Sequence, residues 1–274
     1  MTLFVNTNVS ALIARNTLFD AGSVLDVSYE RLSSGLRINR AADDAAGLQV
    51  ITKFEAQRDG LQQSVRNAND AISMTEVAEG SLKEVTDSLQ RIRQLAIQSQ
   101  SGINGSAERT AIQQEITALT SEMSRVVSDT NFAGNAVLSG DYSAAFQIGA
   151  FAGQSISINL SRTGGFGPSG IGVGNVDVTT FGGASSALAA IDGAVSAIGT
   201  ERAKLGALTN RFQSTIRNLT EVSANLASSM SRIQDADYAS EASELTRNQI
   251  IQQATIAVLG QANSTPQTAL SLLL

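Results

Sequence analysis

Apolar residues recur at alternating three- and four-residue steps over most of this 274-residue chain. That period places them on one face of an α-helix. A helix of about 50 residues is about 75 Å long, which is too long for a small globular domain. The stripe before residue 100 contains Leu61, Val65, Ala68, Ile72, Leu82, Val85, Leu89, Ile92 and Ala96. The stripe after residue 184 occupies Leu188, Ile191, Val195, Ile198, Arg202, Leu205, Thr209, Phe212, Ile216, Leu219, Ser223, Leu226, Met230 and Ile233.

Turn and capping residues divide these stripes into helices. A first helix is predicted from Val5 to about Ser33, where Ser33, Ser34 and Gly35 supply a stop. A long helix from about Ala46 to Gln100 follows, interrupted only by Gly60 and Gly80, and the turn at 101–105 ends it. The next helix, 107–127, has a seam of coiled-coil spacing made by Ile112, Ile116, Leu119, Met123 and Val126.

The region from Asn131 to Gly183 differs from the rest because it is rich in Gly, Ser, Thr and Asn. Its apolar residues alternate in short runs, which predicts β-hairpins. These residues are Ile156, Ile158, Leu160, Ile171, Val173, Val176 and Val178. The expected fold is therefore mainly α: long antiparallel helical coiled coils with a small β-hairpin region and paired N- and C-terminal helices.

Both ends of the chain carry sparse apolar stripes with little charge. The last thirty residues, Leu245–Leu274, contain Arg247 as their only charged side chain. Such a tail would expose an apolar face on a free monomer, yet it is too polar and interrupted for a membrane span. We therefore expect it to be covered by the N-terminal helix, by other copies, or by both. The predicted assembly residues are Val5, Val9, Leu12, Ile13, Phe19, Ile250, Ile251, Ala254 and Val258.

Composition excludes several function classes. A net charge of −6 and only three lysines argue against nucleic acid as a partner. The chain has no cysteine and no histidine, so it has no disulfide framework and lacks the commonest general base and metal ligand. The N-terminus does not read as a secretory signal peptide. We expect no cofactor, no metal and no enzymatic activity.

Two motifs that resemble chemical sites are better explained by local structure. Gly165, Gly167 and Gly170 match a nucleotide-binding spacing, but no helix signal follows them, so a glycine-rich loop is predicted. The acid pairs Asp43 with Asp44 and Asp235 with Asp237 lie at predicted helix boundaries. Aspartate is an ordinary helix cap there, which favours capping over acid–base chemistry or cation binding.

Three separate motifs resemble bacterial flagellin. They are LSSGLRINRAADDAAGLQV near the N-terminus, QRIRQLAIQSQSG at 90–102, and RIQDADYASEASELTRNQIIQQATIAVLGQANSTPQTALSLL at the C-terminus. The resemblance covers about 1–140 and 184–274, and it implies a short form that keeps only the two inner domains. These would be 1–45 with 234–274 as an inner coiled-coil domain, and 46–233 as an outer helical domain with 131–183 as its tip. The terminal segments would become ordered on polymerisation into a hollow filament used as a propeller.

The resemblance also implies partners and a location. The protein would leave the cell unfolded through the flagellar type III apparatus, with an export chaperone on its C-terminal segment, and would meet the flagellar cap and hook-filament junction proteins. A flagellin-sensing Toll-like receptor would contact Arg91, Leu95 and Glu115. Ser161, Thr163 and Ser169 would be candidates for O-glycosylation. The alternatives are a hook-filament junction protein with similar ends, a flagellin that carries a metalloprotease, and a helical scaffold without a motility role. The metalloprotease is disfavoured by the lack of histidine.

Overall fold

The computed structural model describes residues 7–271 of the chain, so Val5 lies outside the described residues. The described part is mainly α-helical, as the sequence predicts, with two small antiparallel hairpins. The elements are α1 Val9–Ser34, α2 Ala45–Ser99, α3 Ser106–Asp129, β1 Asn131–Phe132, β2 Asn135–Ala136, β3 Ser143–Gln147, β4 Ser155–Asn159, α4 Phe181–Gln234 and α5 Tyr238–Ser271.

The chain forms two compact units. One unit, named here the terminal unit, contains the residues up to Ala56 and those from Ala224 onward. The other, named the central unit, runs from Gln57 to Ser223. Because α2 and α4 each contribute to both units, neither long helix ends where a unit ends.

The core of the central unit follows a continuous heptad seam along α2. The seam positions step by three and four without a break, and all are buried: Leu61, Ser64, Ala68, Ala71, Thr75, Ala78, Leu82, Val85, Leu89, Ile92, Ala96 and Ser99. The second half of the predicted stripe is confirmed. In the first half, Val65 and Ile72 are only half-buried because Ser64 and Ala71 occupy the core positions beside them.

Neither of the two glycines predicted to interrupt α2 breaks the helix. A Cβ atom on Gly60 would lie 3.1 Å from the Cβ of Ala150, in the loop between β3 and β4. Gly60 thus allows this loop to approach the helix closely, and the Asn67 side-chain amide donates to the Gln147 carbonyl 2.9 Å away. Gly80 has open space around it.

Helix α4 packs antiparallel to α2 within the central unit. Arg93 pairs with Asp192 at 2.7 Å and Arg202 with Glu79 at 2.8 Å. The later residue of α2 thus pairs with the earlier residue of α4, so the two helices run in opposite directions. The apolar face of α4 is buried through Ala184, Ala187, Ile191, Ala194, Ile198, Leu205 and Phe212. By length and composition alone, α4 is apolar enough to cross a membrane, a test that core helices of soluble proteins also pass.

The β region is smaller than the sequence predicts. Strands β3 and β4 pair from Ser143 opposite Asn159 to Gln147 opposite Ser155, and Ile156 and Ile158 of β4 point into the core. Phe146 of β3 meets Phe212 edge-on, with 6.3 Å between ring centroids.

The second predicted run, from Ile171 to Val178, does not form a strand. Ile171, Val173 and Val178 are buried as the alternation predicts. Their backbone turns instead, since the N–H of Ile171 donates to the Gly167 carbonyl at 3.1 Å and that of Val173 to the Pro168 carbonyl at 2.8 Å. Alternating burial therefore arose here from consecutive turns, which a period of two does not distinguish from a strand.

The glycine-rich loop packs backbone against backbone, as predicted. Gly165 has φ +70°, and a Cβ atom there would lie 2.6 Å from the Ser139 carbonyl oxygen. A Cβ on Gly170 would clash with the Gly165 carbonyl oxygen at 2.2 Å. The glycines are required by this close approach, and the segment after them consists of turns rather than the helix that a phosphate site needs.

Candidate functional site

Helices α1 and α5 of the terminal unit pack against each other in opposite directions. The Asn8 side-chain amide, which also caps α1 by accepting from the Ala11 N–H, donates to the Ala262 carbonyl at 2.7 Å. At the other end, the Tyr238 hydroxyl donates to the Leu32 carbonyl at 3.0 Å. One end of α1 thus meets the far end of α5, and the other meets its beginning.

The contact between α1 and α5 is a heptad seam on each helix. Buried and half-buried residues step by three and four on both. On α1 they are Ala11, Ala14, Leu18, Ala21, Leu25, Ser28 and Leu32. On α5 they are Glu241, Leu245, Asn248, Gln252, Thr255, Leu259 and Ala262. This spacing is the one that holds two helices in register as a coiled coil.

Apart from Leu25, the fully buried side chains in this seam are small or polar, and four further leucines, Leu18, Leu32, Leu245 and Leu259, are half-buried. The fully buried positions are Ala14, Ala21, Leu25 and Ser28 on α1, and Asn248, Thr255 and Ala262 on α5. Buried hydroxyls and amides satisfy themselves on their own helix, as when the Thr255 hydroxyl donates to the Ile251 carbonyl at 2.7 Å. Since burial stabilises by roughly 25 cal/mol per Å² of apolar surface, the alanine, serine and threonine positions contribute little, and the leucines supply most of the apolar burial in this seam.

Except for the seam leucines, the larger apolar side chains of both helices lie outside the seam. With the seam at heptad positions a and d, Val9, Leu12, Ile13 and Phe19 of α1 fall at f, b, c and b, and all four are exposed. On α5, Ile250 and Ala254 fall at f and c and are also exposed, whereas Ile251 at g is half-buried beside the seam. Six of the predicted assembly residues therefore occupy the outer faces of α1 and α5, which we call the outer apolar surface.

Three of the predicted residues line one groove between the two helices. Ile13, Ala254 and Val258 surround it together with Ser10, Ala14, Thr17 and Thr255. Its volume is about 370 Å³. We call this space the α1–α5 groove. It is open to solvent and has no charged residue in its lining.

Sequence reasoning missed the polar contacts that fix the end of α1. Gly35 has φ +74° and ends the helix, and Glu30 accepts from both Asn39 and Arg40. Asp43 accepts from the backbone N–H groups of Arg40 at 2.9 Å and Asn39 at 3.0 Å. These backbone hydrogen bonds, Arg40 first, lower the pKa of Asp43 below its ordinary value. Gly35, which follows a basic last turn, indicated where α1 ends, but it did not indicate these side-chain contacts.

One member of each acid pair, Asp44 and Asp237, caps a helix, as predicted. The Asp44 carboxylate accepts from the Gly47 N–H at 2.8 Å at the start of α2, and the Asp237 carboxylate accepts from the Ala239 N–H at 3.0 Å at the start of α5. Asp235 instead accepts from the Ser231 hydroxyl at 2.5 Å. Across residues 7–271, the acidic side chains form no cluster of three that could hold a metal ion.

Two of the three predicted receptor contacts lie together on the surface. Arg91 of α2 donates to Glu115 of α3 through two guanidinium nitrogens, at 2.6 and 3.0 Å. Leu95 is only 3% exposed because it faces the core. The Arg91–Glu115 pair is therefore accessible on the surface, whereas the Leu95 side chain is not.

The three predicted glycosylation residues, Ser161, Thr163 and Ser169, are all exposed in the turns around the glycine-rich loop. Ser161 follows β4, and its N–H donates to the Asn159 side chain at 2.8 Å. Their hydroxyls are therefore accessible to a modifying enzyme.

Comparison with known proteins accounts for most of the chain. Residues 5–143 match the bacterial flagellin N-terminal helical region, and residues 188–273 match the bacterial flagellin C-terminal helical region. Polar flagellin F of Vibrio parahaemolyticus serotype O3:K6 (strain RIMD 2210633) is 35% identical over 376 aligned residues that cover 100% of both chains. Flagellin B of Vibrio anguillarum is 35% identical over 375, again with 100% of both chains covered. Both alignments are longer than this chain of 274 residues, so these relatives contain segments that it lacks.

Solved structures share the fold. The crystal structure of Bacillus cereus flagellin superposes with a TM-score of 0.51 at 23% identity, covering 60% of this chain and 94% of that one. A putative flagellar hook-associated protein from Vibrio parahaemolyticus gives a TM-score of 0.60 at 13% identity, covering 70% of this chain and 100% of that one. At these identities the likeness concerns the fold alone. Both family regions and the full-length relatives agree, and the chain belongs to the bacterial flagellin family.

Proposed function

We propose that this chain polymerises through the outer apolar surface of α1 and α5, which neighbouring copies bury between them. As a flagellin, the chain is a structural subunit of the extracellular flagellar filament and assembles with copies of itself. The observation that carries the proposal is the exposure of Ile13, Phe19 and Ile250 on the faces opposite the α1–α5 seam. Apolar side chains in that position stabilise nothing within the chain.

The charge pattern supports the same surface. Beyond Arg247 the chain carries no charged residue, and α1 has only Arg15 between its start and Asp20. A surface without charges can be buried between copies without the large cost of desolvating unpaired ions. Full burial of each Val, Leu, Ile or Phe side chain contributes roughly 1.5–3 kcal/mol, so a few such residues per copy are enough to drive association.

We further propose that residues 1–45 and 234–274 form the inner coiled-coil domain of the subunit and 46–233 the outer helical domain, with 131–183 as its tip. The seam between α1 and α5 supports this division, because most of its fully buried residues are small or polar and such a pair gains further stability on burial among other copies.

Oxidative footprinting tests the proposed surface directly. Phe19 and Ile250 should react with hydroxyl radicals in the monomer and be protected in filaments grown from seeds. The exposed Phe151 and Phe181 of the central unit provide the comparison within the same sample. Equal labelling of Phe19 and Ile250 before and after polymerisation would overturn the proposal.

The proposed function also includes export of the chain from the cell. We propose export of the unfolded chain through the flagellar type III apparatus, with a chaperone bound to the segment that forms α5. The part of α5 after Arg247 supports this, because it carries no charged residue and exposes Ile250, Ile256 and Val258, so it needs cover before assembly. The flagellar cap and the hook-filament junction proteins are the proposed neighbours at the ends of the filament.

For recognition by a flagellin-sensing Toll-like receptor, we propose the surface that carries the Arg91–Glu115 pair. Both side chains are about half exposed and accessible in the monomer. Arg91→Ala should weaken the response in a receptor reporter assay with purified monomer. Arg125→Ala is the matched control, since Arg125 is another exposed arginine paired with an acid, on α3. An unchanged response to Arg91→Ala would reject this surface.

Ser161, Thr163 and Ser169 are proposed sites of O-glycosylation, supported by their exposure. Intact-mass measurement of filament protein from the native host, compared with a triple alanine variant, tests this. A junction-protein role has no support beyond the shared fold, since the hook-associated protein is only 13% identical.

A further inference from the structure

The α1–α5 groove and the side chain of Phe19 have complementary properties. The groove is lined by small or aliphatic residues and holds about 370 Å³, which is ample space for one phenyl ring. Phe19 is 78% exposed, more than any other large apolar side chain described on α1 or α5. An aromatic side chain is the commonest anchor of a protein interface because it buries much apolar surface at small entropic cost.

The position of Phe19 on α1 prevents it from filling the groove of its own copy. Ser10 and Thr17 line the groove from heptad position g and Ile13 from position c, so the groove opens on the g side of α1. Phe19 is at position b, on the e side of the same helix. The projecting ring and the recess thus lie on opposite flanks of one coiled coil.

A projection on one flank and a recess on the other define a head-to-tail contact. Each copy offers both halves, so the contact is heterologous and can be repeated from copy to copy, which is the kind of contact that a helical filament requires and a two-fold dimer does not use. The recess contains no charged residue, and Phe19 brings none into it, so the contact is compatible with burial in a layer between copies.

We propose that Phe19 of one copy inserts into the α1–α5 groove of a neighbouring copy, against Ile13, Ala254 and Val258. This rests on the proposed function, because it names the contact by which the outer apolar surface joins copies. Phe19 and Ala254 then determine the affinity between neighbouring copies, and neither contributes to the fold of a single copy.

Assembly measurements on two variants test the insertion. Phe19→Ala should raise the critical concentration for filament growth about tenfold, as expected for an interface anchor, with the melting of the monomer unchanged. Ala254→Leu fills the groove and should have a similar effect. The double variant should be no worse than either single one, because both remove the same contact. Effects that multiply in the double variant, or no effect of Phe19→Ala, would overturn the proposal.

Cross-linking gives a second test, because it reports whether residue 19 of one copy lies near residue 258 of another. The chain has no natural cysteine, so only the introduced cysteines can react. Phe19→Cys and Val258→Cys subunits, labelled differently in mass, are polymerised together and treated with a short bis-maleimide. Dimers that carry both labels are expected from filaments and not from monomers. Ser214→Cys, at an exposed position of α4, replaces Val258→Cys in the control. Filaments without mixed dimers would reject the insertion and leave the proposed function standing, whereas wild-type chains that do not elongate on seeds would reject the proposed function itself.

Discussion

The two coiled-coil seams of this chain use the same spacing but differ in how many large apolar side chains they bury completely. In the central unit, α2 buries Leu82, Val85, Leu89 and Ile92 along its seam, and Phe212 of α4 is fully buried in the same core. In the terminal unit, the fully buried seam residues of α1 and α5 are Ala, Ser, Asn and Thr apart from Leu25, and further leucines are half-buried. Most of the other large apolar residues of α1 and α5 are on the outer faces.

This difference separates a region that is stable by itself from one that is completed by its neighbours. Full burial of Leu, Ile and Phe contributes roughly 1.5–3 kcal/mol per side chain, and the central unit obtains this within one chain. The α1–α5 pair leaves much of its large apolar surface exposed, and we propose that other copies bury that surface in the filament. Heptad spacing therefore determines how two helices pack. The size of the seam residues determines how stable the helix pair is within a single chain.

Truncation is the most severe way to test this comparison. Removal of residues 255–274 takes away Thr255, Leu259 and Ala262 from the seam and Val258 from the groove. We expect complete loss of filament growth on seeds, observed by electron microscopy. Hydrogen exchange at residues 82–96 should be as slow as in the full chain, because the central core is untouched. Faster exchange there would show that the central unit depends on α5.

A single charge on the outer apolar surface should have nearly the same effect on assembly. Ile250→Asp places a carboxylate where a neighbouring copy would bury it without a partner, which costs several kcal/mol. Filament growth, followed by sedimentation, should fail at concentrations that suffice for the wild type. Ile250→Leu is the control at the same position and should assemble normally. Ordinary growth of Ile250→Asp would place this face of α5 toward solvent in the filament.

A cavity in the central core should lower stability without acting on the assembly surface. Phe212 is fully buried and meets Phe146 at 6.3 Å, so Phe212→Ala should reduce the free energy of unfolding by about 3–5 kcal/mol. Phe181→Ala, on the exposed start of the same helix, is the matched control and should change it by less than about 0.5 kcal/mol. Urea unfolding of the monomer measures both. Similar losses for the two variants would contradict the assignment of the core.

The sequence predicted the helices and the core of the central unit well because their period is long and their seam residues are large. It was less informative where small residues take core positions. Ser64 and Ala71 continue the α2 seam, although Val65 and Ile72 are the more apolar residues beside them. The run from Ile171 to Val178 was predicted as strand and is a series of turns, since alternating burial records only which side chains face inward.

The candidate surface shows the same limitation from the other side. The apolar stripes of α1 and α5 were expected to be covered by the other terminal helix, by other copies, or by both. The two helices do pack together, but through Ala14, Ala21 and Thr255 rather than through the apolar stripes. The helical period identifies each uncharged face of α1 and α5. It does not show which of these faces packs against the other terminal helix. Only the packing of α1 against α5 distinguishes the seam from the outer apolar surface.

The smallest expected effect concerns the turn that follows α1 in the terminal unit, where order comes from hydrogen bonds rather than from apolar burial. Backbone N–H groups of Arg40 and Asn39 hold the pKa of Asp43 below its usual value of 3.8, so the carboxylate stabilises this turn above that pH. The contribution is lost as the pH falls through the lowered value, because protonation removes the charge that accepts both bonds. Carboxyl NMR titration of Asp43 should show the lowered pKa, and Asp43→Ser, which retains a short oxygen acceptor without a titrating group, should remove this part of the acid dependence. An Asp43 that titrates at or above its usual value would show that the turn is open in solution, and that the terminal unit lacks local order at the end of α1 as well as a large apolar seam.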